Sequence, residues 1–105
     1  MHTEPRIIAL SVESDARLAA GAGGIARYLA DAAGMASEAS SQLQAEMVAA
    51  CMQAFQSLTP ERPALQVRYA LYSDRIEIDL AGPDQLAAHA GRRLTRRFGQ
   101  AIRSS

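Results

Sequence analysis

The chain has 105 residues, of which 49% are hydrophobic and 21% are charged, a composition that excludes a disordered or collagen-like chain. A chain of this length is expected to form one domain, residues 1–105, with one modest core. The formal net charge is zero, but residues 1–84 hold six Arg and eleven acidic residues, whereas residues 85–105 hold five Arg and no acidic residue. This uneven distribution favours association with a second copy or with an acidic partner, and the basic end alone is too short to predict nucleic-acid binding.

Cysteine content and the lengths of the apolar runs bear on the compartment. The single cysteine, Cys51, cannot form an intramolecular disulfide, which is typical of a reducing cytoplasm. No apolar run approaches the roughly 18 residues of a membrane span, and the amino-terminal residues MHTEPR lack the form of a signal peptide. We therefore expect a cytoplasmic protein that does not bind membranes.

The first third of the chain predicts a strand and then a helix. The segment RIIALSV alternates its side chains between two faces and is rich in β-branched residues, which predicts a strand at about 6–12. Ser14 is the expected N-cap of a helix whose apolar residues recur at steps of three and four, and Gly34 is expected to end it. The GAGG at 21–24 lies inside this helix and no Lys follows it, so we interpret these glycines as permitting a close approach of the sheet or of a second helix, not as a phosphate loop.

The next segment predicts the central helix of the domain. Ser41 and Gln44 stand at the spacing of a capping box. An apolar face is followed by additional apolar residues around it, which predicts burial on more than one side. The residues of that face are Leu43, Met47, Ala50, Ala54 and Leu58, broadened by Val48, Cys51, Met52 and Phe55. The loop TPERPA at 59–64 then discourages continuation of the helix because it contains two prolines.

The last third of the chain predicts a hairpin and a terminal helix. Two segments of alternating apolar and polar residues flank Ser73 and Asp74, which indicates an antiparallel hairpin with one apolar face. From Asp84 onward the sequence predicts a basic amphipathic helix at about 84–102, with Leu94 and Phe98 on its apolar stripe. The order β-α-α-β-β-α predicts an α+β fold, a small two-layer sandwich with a core at about 6–84 and helices on one face of an antiparallel-containing sheet.

This order, the central helix and the hairpin LQVRYALYSDRIEIDLAGPD resemble the Bergerat-fold (GHKL, histidine-kinase-like) ATPases, and most closely the anti-sigma-factor serine kinases. The resemblance covers about residues 6–84 and implies a shortened Bergerat-type fold. In that family the central helix carries a Glu that acts as base and, four residues later, an Asn that binds magnesium. The matching stretch here is VAACMQA at 48–54, which places Ala49 and Gln53 at those two positions.

Each of these differences removes part of the family's nucleotide chemistry. Ala49 has no proton acceptor and cannot act as a general base. The extra methylene of Gln53 displaces its carbonyl oxygen by about a bond length, which an octahedral Mg²⁺ site tolerates poorly. The family's adenine-binding Asp corresponds to Gly82, and no glycine-rich lid follows it. Asp79 or Asp84 could replace that Asp only after a shift of register.

The resemblance therefore implies a regulatory protein that is not an enzyme and needs no cofactor or metal ion. We expect it to bind a protein partner, such as a sigma factor or an anti-sigma antagonist. A three-stranded sheet leaves its edges unpaired, so strand 6–12 or the hairpin could be completed by a second copy, and a homodimer is expected.

Two other functions stay open at this stage. The first is a residual nucleotide-binding sensor, in which Gln53 and a nearby acidic residue hold a nucleotide without hydrolysing it. The second is an anion- or RNA-binding module that uses the arginines of the terminal helix. The same arginines could instead contact an acidic protein partner, and they are Arg92, Arg93, Arg96 and Arg97.

Overall fold

A computed structural model of the chain describes residues 5–61, 63–81 and 92–98. These residues form two helices and one four-stranded sheet, so the predicted α+β class is confirmed. The elements in chain order are β1 (Arg6–Glu13), α1 (Ala16–Ala32), α2 (Ser37–Ala54) with a 3₁₀ turn (Phe55–Ser57), β2 (Ala64–Leu71), β3 (Arg75–Ala81) and β4 (Arg92–Arg97). The strands lie side by side in the order β1-β2-β3-β4, and every neighbouring pair is antiparallel.

The terminal helix predicted at 84–102 is wrong where the structure describes it. Residues 92–97 form strand β4, which pairs with β3 and completes the sheet. The segment RRLTRR also satisfies a period of two, with Leu94 buried on one face and Thr95 exposed on the other. Pairing with the free edge of β3 decides between the two periods, and the described order is therefore β-α-α-β-β-β.

Both helices pack on the same face of the sheet, which we call the inner face. One row of paired residues crosses all four strands on this face: Ile8, Tyr69, Ile78 and Leu94. The Tyr69 hydroxyl donates a hydrogen bond of 2.7 Å to the backbone carbonyl of Ala22 in α1. Arg96, two residues beyond Leu94 and so on the same face, forms an ion pair with Glu46 in α2. Helix α1 therefore lies over β2, and α2 lies towards β4.

The core fills the space between the helices and this inner face. Its strand residues are those predicted from the alternation of the hairpin, and they are almost fully buried. They include Leu65, Val67, Ile76, Ile78 and Leu80. The backbone N–H of Tyr72 donates to the carbonyl of Arg75 at 2.8 Å, which closes the hairpin around the predicted turn at Ser73 and Asp74.

Helix α1 begins one residue later than predicted. Its N-cap is Asp15, whose carboxylate accepts a hydrogen bond of 2.8 Å from the backbone N–H of Arg17, so Ser14 is not the cap. The prediction for Gly34 is confirmed in substance, because Gly34 directly follows the C-cap and has a φ of 94°. The N–H of Met35 bonds the carbonyl of Ala30 at 3.0 Å, which completes a Schellman motif.

One glycine of the GAGG stretch lies at the crossing of the two helices. A Cβ atom on Gly23 would lie 2.6 Å from Val48 Cγ2 and 2.9 Å from the carbonyl oxygen of Gln44. Cβ atoms on Gly21 and Gly24 would meet nothing within 4 Å. The interpretation that glycine permits close helix approach is therefore confirmed for Gly23 and wrong for the other two.

Helix α2 begins earlier than the predicted capping box. It starts at Ser37 with Ala36 as N-cap, so Ser41 lies inside the helix. The Gln44 side chain accepts a hydrogen bond of 3.2 Å from Arg27 in α1 and does not reach back to a cap. The predicted burial on several sides is also wrong in part, because Met52 is 43% exposed.

Candidate functional site

The outer surface of α2 carries the positions that the family resemblance singled out. Ala49 and Gln53 are both exposed, and Glu46 precedes Ala49 by three residues. Residues three, four and seven apart share one side of a helix, so these three side chains form one surface, which we call the α2 site. The third predicted position, Gly82, lies outside the described residues.

The one carboxylate of the α2 site is bonded to the neighbouring strand. Arg96 of β4 donates to Glu46 Oε1, and both side chains are about one-third to one-half exposed, at 34% and 45%. Because Ala49 offers only a methyl group, the α2 site holds an ion pair, an amide and a small apolar side chain. Ala49 itself therefore offers no group that could accept a proton from a substrate hydroxyl.

Two other arginines of β4, Arg93 and Arg97, lie on the outer face of the sheet, away from the helices. Arg93 binds Asp79 through two hydrogen bonds of 2.7 and 3.3 Å and approaches Glu77 at 3.4 Å. The hydrogen bond to Asp79 raises the pKa of the Arg93 guanidinium above its ordinary value. Arg97 forms an ion pair with Asp74 at 3.2 Å. Arg92 belongs to β4 as well, but its side chain lies outside the description.

This ion-pair network continues on β3. Arg75 bonds Glu77 and Asp74, each at 2.8 Å, and its guanidinium lies 3.9 Å from the centre of the Tyr72 ring. The outer face of β3 and β4 is therefore covered by alternating charges that neutralise one another. The basic cluster seen in the sequence does not form an isolated cationic surface in the described part of the fold.

The two most perturbed groups of the described chain are part of the core. Cys51 is fully buried, and burial raises the pKa of its thiol to about 11. Burial also raises the pKa of Tyr69 well above its ordinary value. A thiol that stays protonated and a hydroxyl that donates to Ala22 are structural groups, not nucleophiles.

Residues 5–61, 63–81 and 92–98 contain neither a cluster of metal-ligating side chains nor a helix that could span a membrane. No group of three or more His, Cys, Asp or Glu side chains is arranged to hold a metal ion there. Neither of the two described helices is long and apolar enough to cross a membrane.

A second surface lies at the edge of β1 that no other described strand pairs with. Ile7 and Ile8 are 43% and 39% exposed, and they point to opposite faces of the sheet. The sequence already contained the signal for this surface, since RIIALSV is apolar on both faces at one end of the chain. An unpaired edge was predicted there or at the hairpin, and β4 covers the edge that the hairpin would have left.

Comparisons with known proteins do not assign this chain to a family. No protein-family model matches it, and no curated protein sequence gives a significant match.

Proposed function

We propose that this protein is a regulatory protein-interaction module with a shortened Bergerat-type fold, resembling an anti-sigma factor that has lost its ATP site. Its partner in this proposal is a cytoplasmic protein such as a sigma factor or an anti-sigma antagonist. The observation that carries the proposal is the composition of the α2 site. Ala49 and Gln53 stand at the two positions where the resemblance places the base and the magnesium ligand, and both are exposed.

The position of Glu46 supports the same proposal. Its carboxylate is the one acidic group on this surface of α2, and it is bonded to Arg96. A magnesium ion would have to replace that guanidinium and take its second protein ligand from the longer side chain of Gln53. The order β1-α1-α2-β2-β3 is also the order on which the family resemblance rests.

A nucleotide-binding sensor without hydrolysis is the runner-up. It is favoured by Arg96, because a guanidinium next to the α2 site could hold a phosphate if it released Glu46. An anion- or RNA-binding module is less favoured. Arg93, Arg96 and Arg97 would each have to exchange a carboxylate of the same chain for a phosphate.

Calorimetric titration of the purified protein with Mg·ATP and Mg·ADP tests the proposal. We expect no saturable heat at millimolar nucleotide. Saturable binding that is lost in Arg96→Ala or Gln53→Ala would overturn the proposal in favour of the sensor. The conservative variant Arg96→Lys is the matched control, since it keeps a cation that can contact phosphate as a point charge.

A further inference from the structure

The two edges of the sheet differ in charge. Four of the six residues of β4 are Arg, which is a common way of preventing an edge strand from pairing with another chain. Strand β1 is longer, with eight residues, and only its ends are charged: Arg6 at the start and Glu13 at the end. The six residues between them, IIALSV, contain no charge and no proline, so nothing in β1 opposes the addition of a strand.

Exposed apolar side chains collect beside this edge. Ile7, Ile8 and Leu18 are three of the five large hydrophobic residues exposed in the described part of the chain, and Leu18 is 45% exposed. Leu10 is only partly buried. Exposed aliphatic groups next to an unpaired strand mark a surface whose coverage by a second chain lowers the free energy.

The geometry of α1 places Leu18 above the same edge. Gly23 faces α2, and the buried Ala22 faces the sheet. These two consecutive residues are about 100° apart around the helix axis. Going around the helix from Gly23 past Ala22, Leu18 lies about 40° beyond Ala22 and Ile25 about 60° beyond it. Both residues are therefore on the side of α1 away from α2. Because α2 lies towards β4, that side of α1 faces β1.

We propose that β1 pairs antiparallel with β1 of a second copy of this chain across a two-fold axis, forming a continuous eight-stranded sheet. This arrangement joins Ile8, Leu10 and Leu18 of the two copies into one apolar strip, which lies between the helix pair of one copy and the helix pair of the other. It also keeps Arg6 of one copy at the opposite end of the pairing from Arg6 of the other, whereas a parallel pairing would place like charges together.

The symmetry restricts the register to a short list. A two-fold axis perpendicular to the sheet keeps the helices of both copies on one side, so each residue must pair with a residue of the same face. Odd residues then pair with odd residues and even with even. The axis therefore passes beside Ala9 or beside Leu10 near the middle of the strand, so that one of these residues faces its own copy.

The other edge pairings are less favourable. Pairing β4 with β4 would bring eight arginines together along one ladder. Pairing β1 with β4 of another copy would leave a free edge at each end and would continue into open fibres. Of the three combinations, only β1 with β1 is both closed and free of charge repulsion. The inference goes beyond the proposed function, because it concerns a surface remote from the α2 site.

The mass in solution and one pair of variants test the inference. We expect sedimentation equilibrium to give twice the chain mass of 11.2 kDa. Ala9 is exposed on the outer face and pairs with Arg68 of its own sheet, so a glutamate there is compatible with the folded monomer. In the dimer the two glutamates meet near the axis, and Ala9→Glu should weaken dimerisation at least about tenfold. Ala9→Gln, with similar size and no charge, should remain a dimer.

Cysteine cross-linking identifies the interface itself. Under mild oxidation, Ala9→Cys or Leu10→Cys should give a covalent dimer, while the buried Cys51 in the unmodified chain should not. A wild-type monomer would overturn the inference, and so would a dimer that neither responds to Ala9→Glu nor cross-links at either position. Circular dichroism of each variant shows that it is folded. A monomer that ignores nucleotide would leave the proposed function intact, and a dimer that binds Mg·ATP would contradict the proposed function alone.

Discussion

Gly23 is the residue that fixes how closely α1 and α2 approach. Any side chain there would collide with Val48 and with the backbone of Gln44, whereas Gly21 and Gly24 have open space around them. We expect Gly23→Ala to lower the free energy of unfolding by about 1–3 kcal/mol through overpacking. Gly21→Ala and Gly24→Ala should raise it by up to about 1 kcal/mol each, because alanine favours the helix. Urea denaturation of the three variants measures both signs, and a common sign for all three would contradict the packing.

Tyr69 joins the sheet to α1 through a buried hydrogen bond. Its hydroxyl donates to the carbonyl of Ala22, and no other polar link of this kind from the sheet to α1 is seen in the described residues. Tyr69→Phe removes the donor and keeps the ring, so the variant should lose about 1 kcal/mol of stability. The matched control is Tyr28→Phe, since Tyr28 is 70% exposed and its replacement should stay within about 0.5 kcal/mol. Equal stability of Tyr69→Phe and wild type in thermal unfolding would show that the bond contributes nothing.

Asp15 couples the start of α1 to pH. Its hydrogen bonds from the side chain and then the backbone of Arg17 hold the pKa of the carboxyl below its ordinary value. A lowered pKa in the folded state means that the stabilisation is fully present above the unfolded pKa and is lost as the pH falls through the folded pKa. Asp15→Ser keeps a capping oxygen without a titratable group. Its loss of stability below about pH 4 should therefore be smaller than that of wild type, as measured by urea denaturation at several pH values.

At the scale of elements, β4 shows where prediction from sequence stops. The hairpin and both helices followed from periodicity, with errors of a few residues at the caps. Residues 92–97 could not be assigned in the same way, because Leu94 and Phe98 lie four apart and suit a helix, while RRLTRR also alternates. What decides is the pairing of β4 with β3, a contact between distant parts of the chain.

The same limit applies to the candidate site. Ala49 and Gln53 were found from the resemblance, and the structure places them on one exposed side of α2 as their spacing requires. The ion pair between Glu46 and Arg96 could not be found, since its two residues are 50 positions apart and Arg96 was assigned to a helix. Their association follows from the sheet, not from local sequence.

This ion pair also gives a test of how β4 is attached. Arg96→Ala and Glu46→Ala should each lower the stability by up to about 1 kcal/mol, a small cost because the pair is partly exposed. The double variant should cost less than the sum of the two, because either single change already removes the ion pair. Glu38→Ala is the control partner, since Glu38 is exposed in the first turn of α2 and should be additive with Arg96→Ala. If the effects of Glu46→Ala and Arg96→Ala are additive as well, the ion pair does not hold β4 to α2.

At the scale of the whole molecule, the sheet formed by the described residues has one charged edge and one open edge. The charged edge is β4, and its described arginines are balanced by acidic residues of the same chain. The open edge is β1, flanked by exposed aliphatic side chains. In the proposed dimer the α2 site would stay accessible to a different protein, because that surface adjoins β4 at the other side of the fold.

Amide hydrogen exchange measured as a function of protein concentration tests this asymmetry most directly. The β1 amide N–H groups that point away from β2 should become more protected as the concentration rises. The amides of β4 should exchange at a constant rate. Ala9→Glu should remove the concentration dependence of β1 and leave β4 unchanged. Rapid exchange of these β1 edge amides at every concentration would contradict the account. So would protection of the β4 amides that grows with concentration.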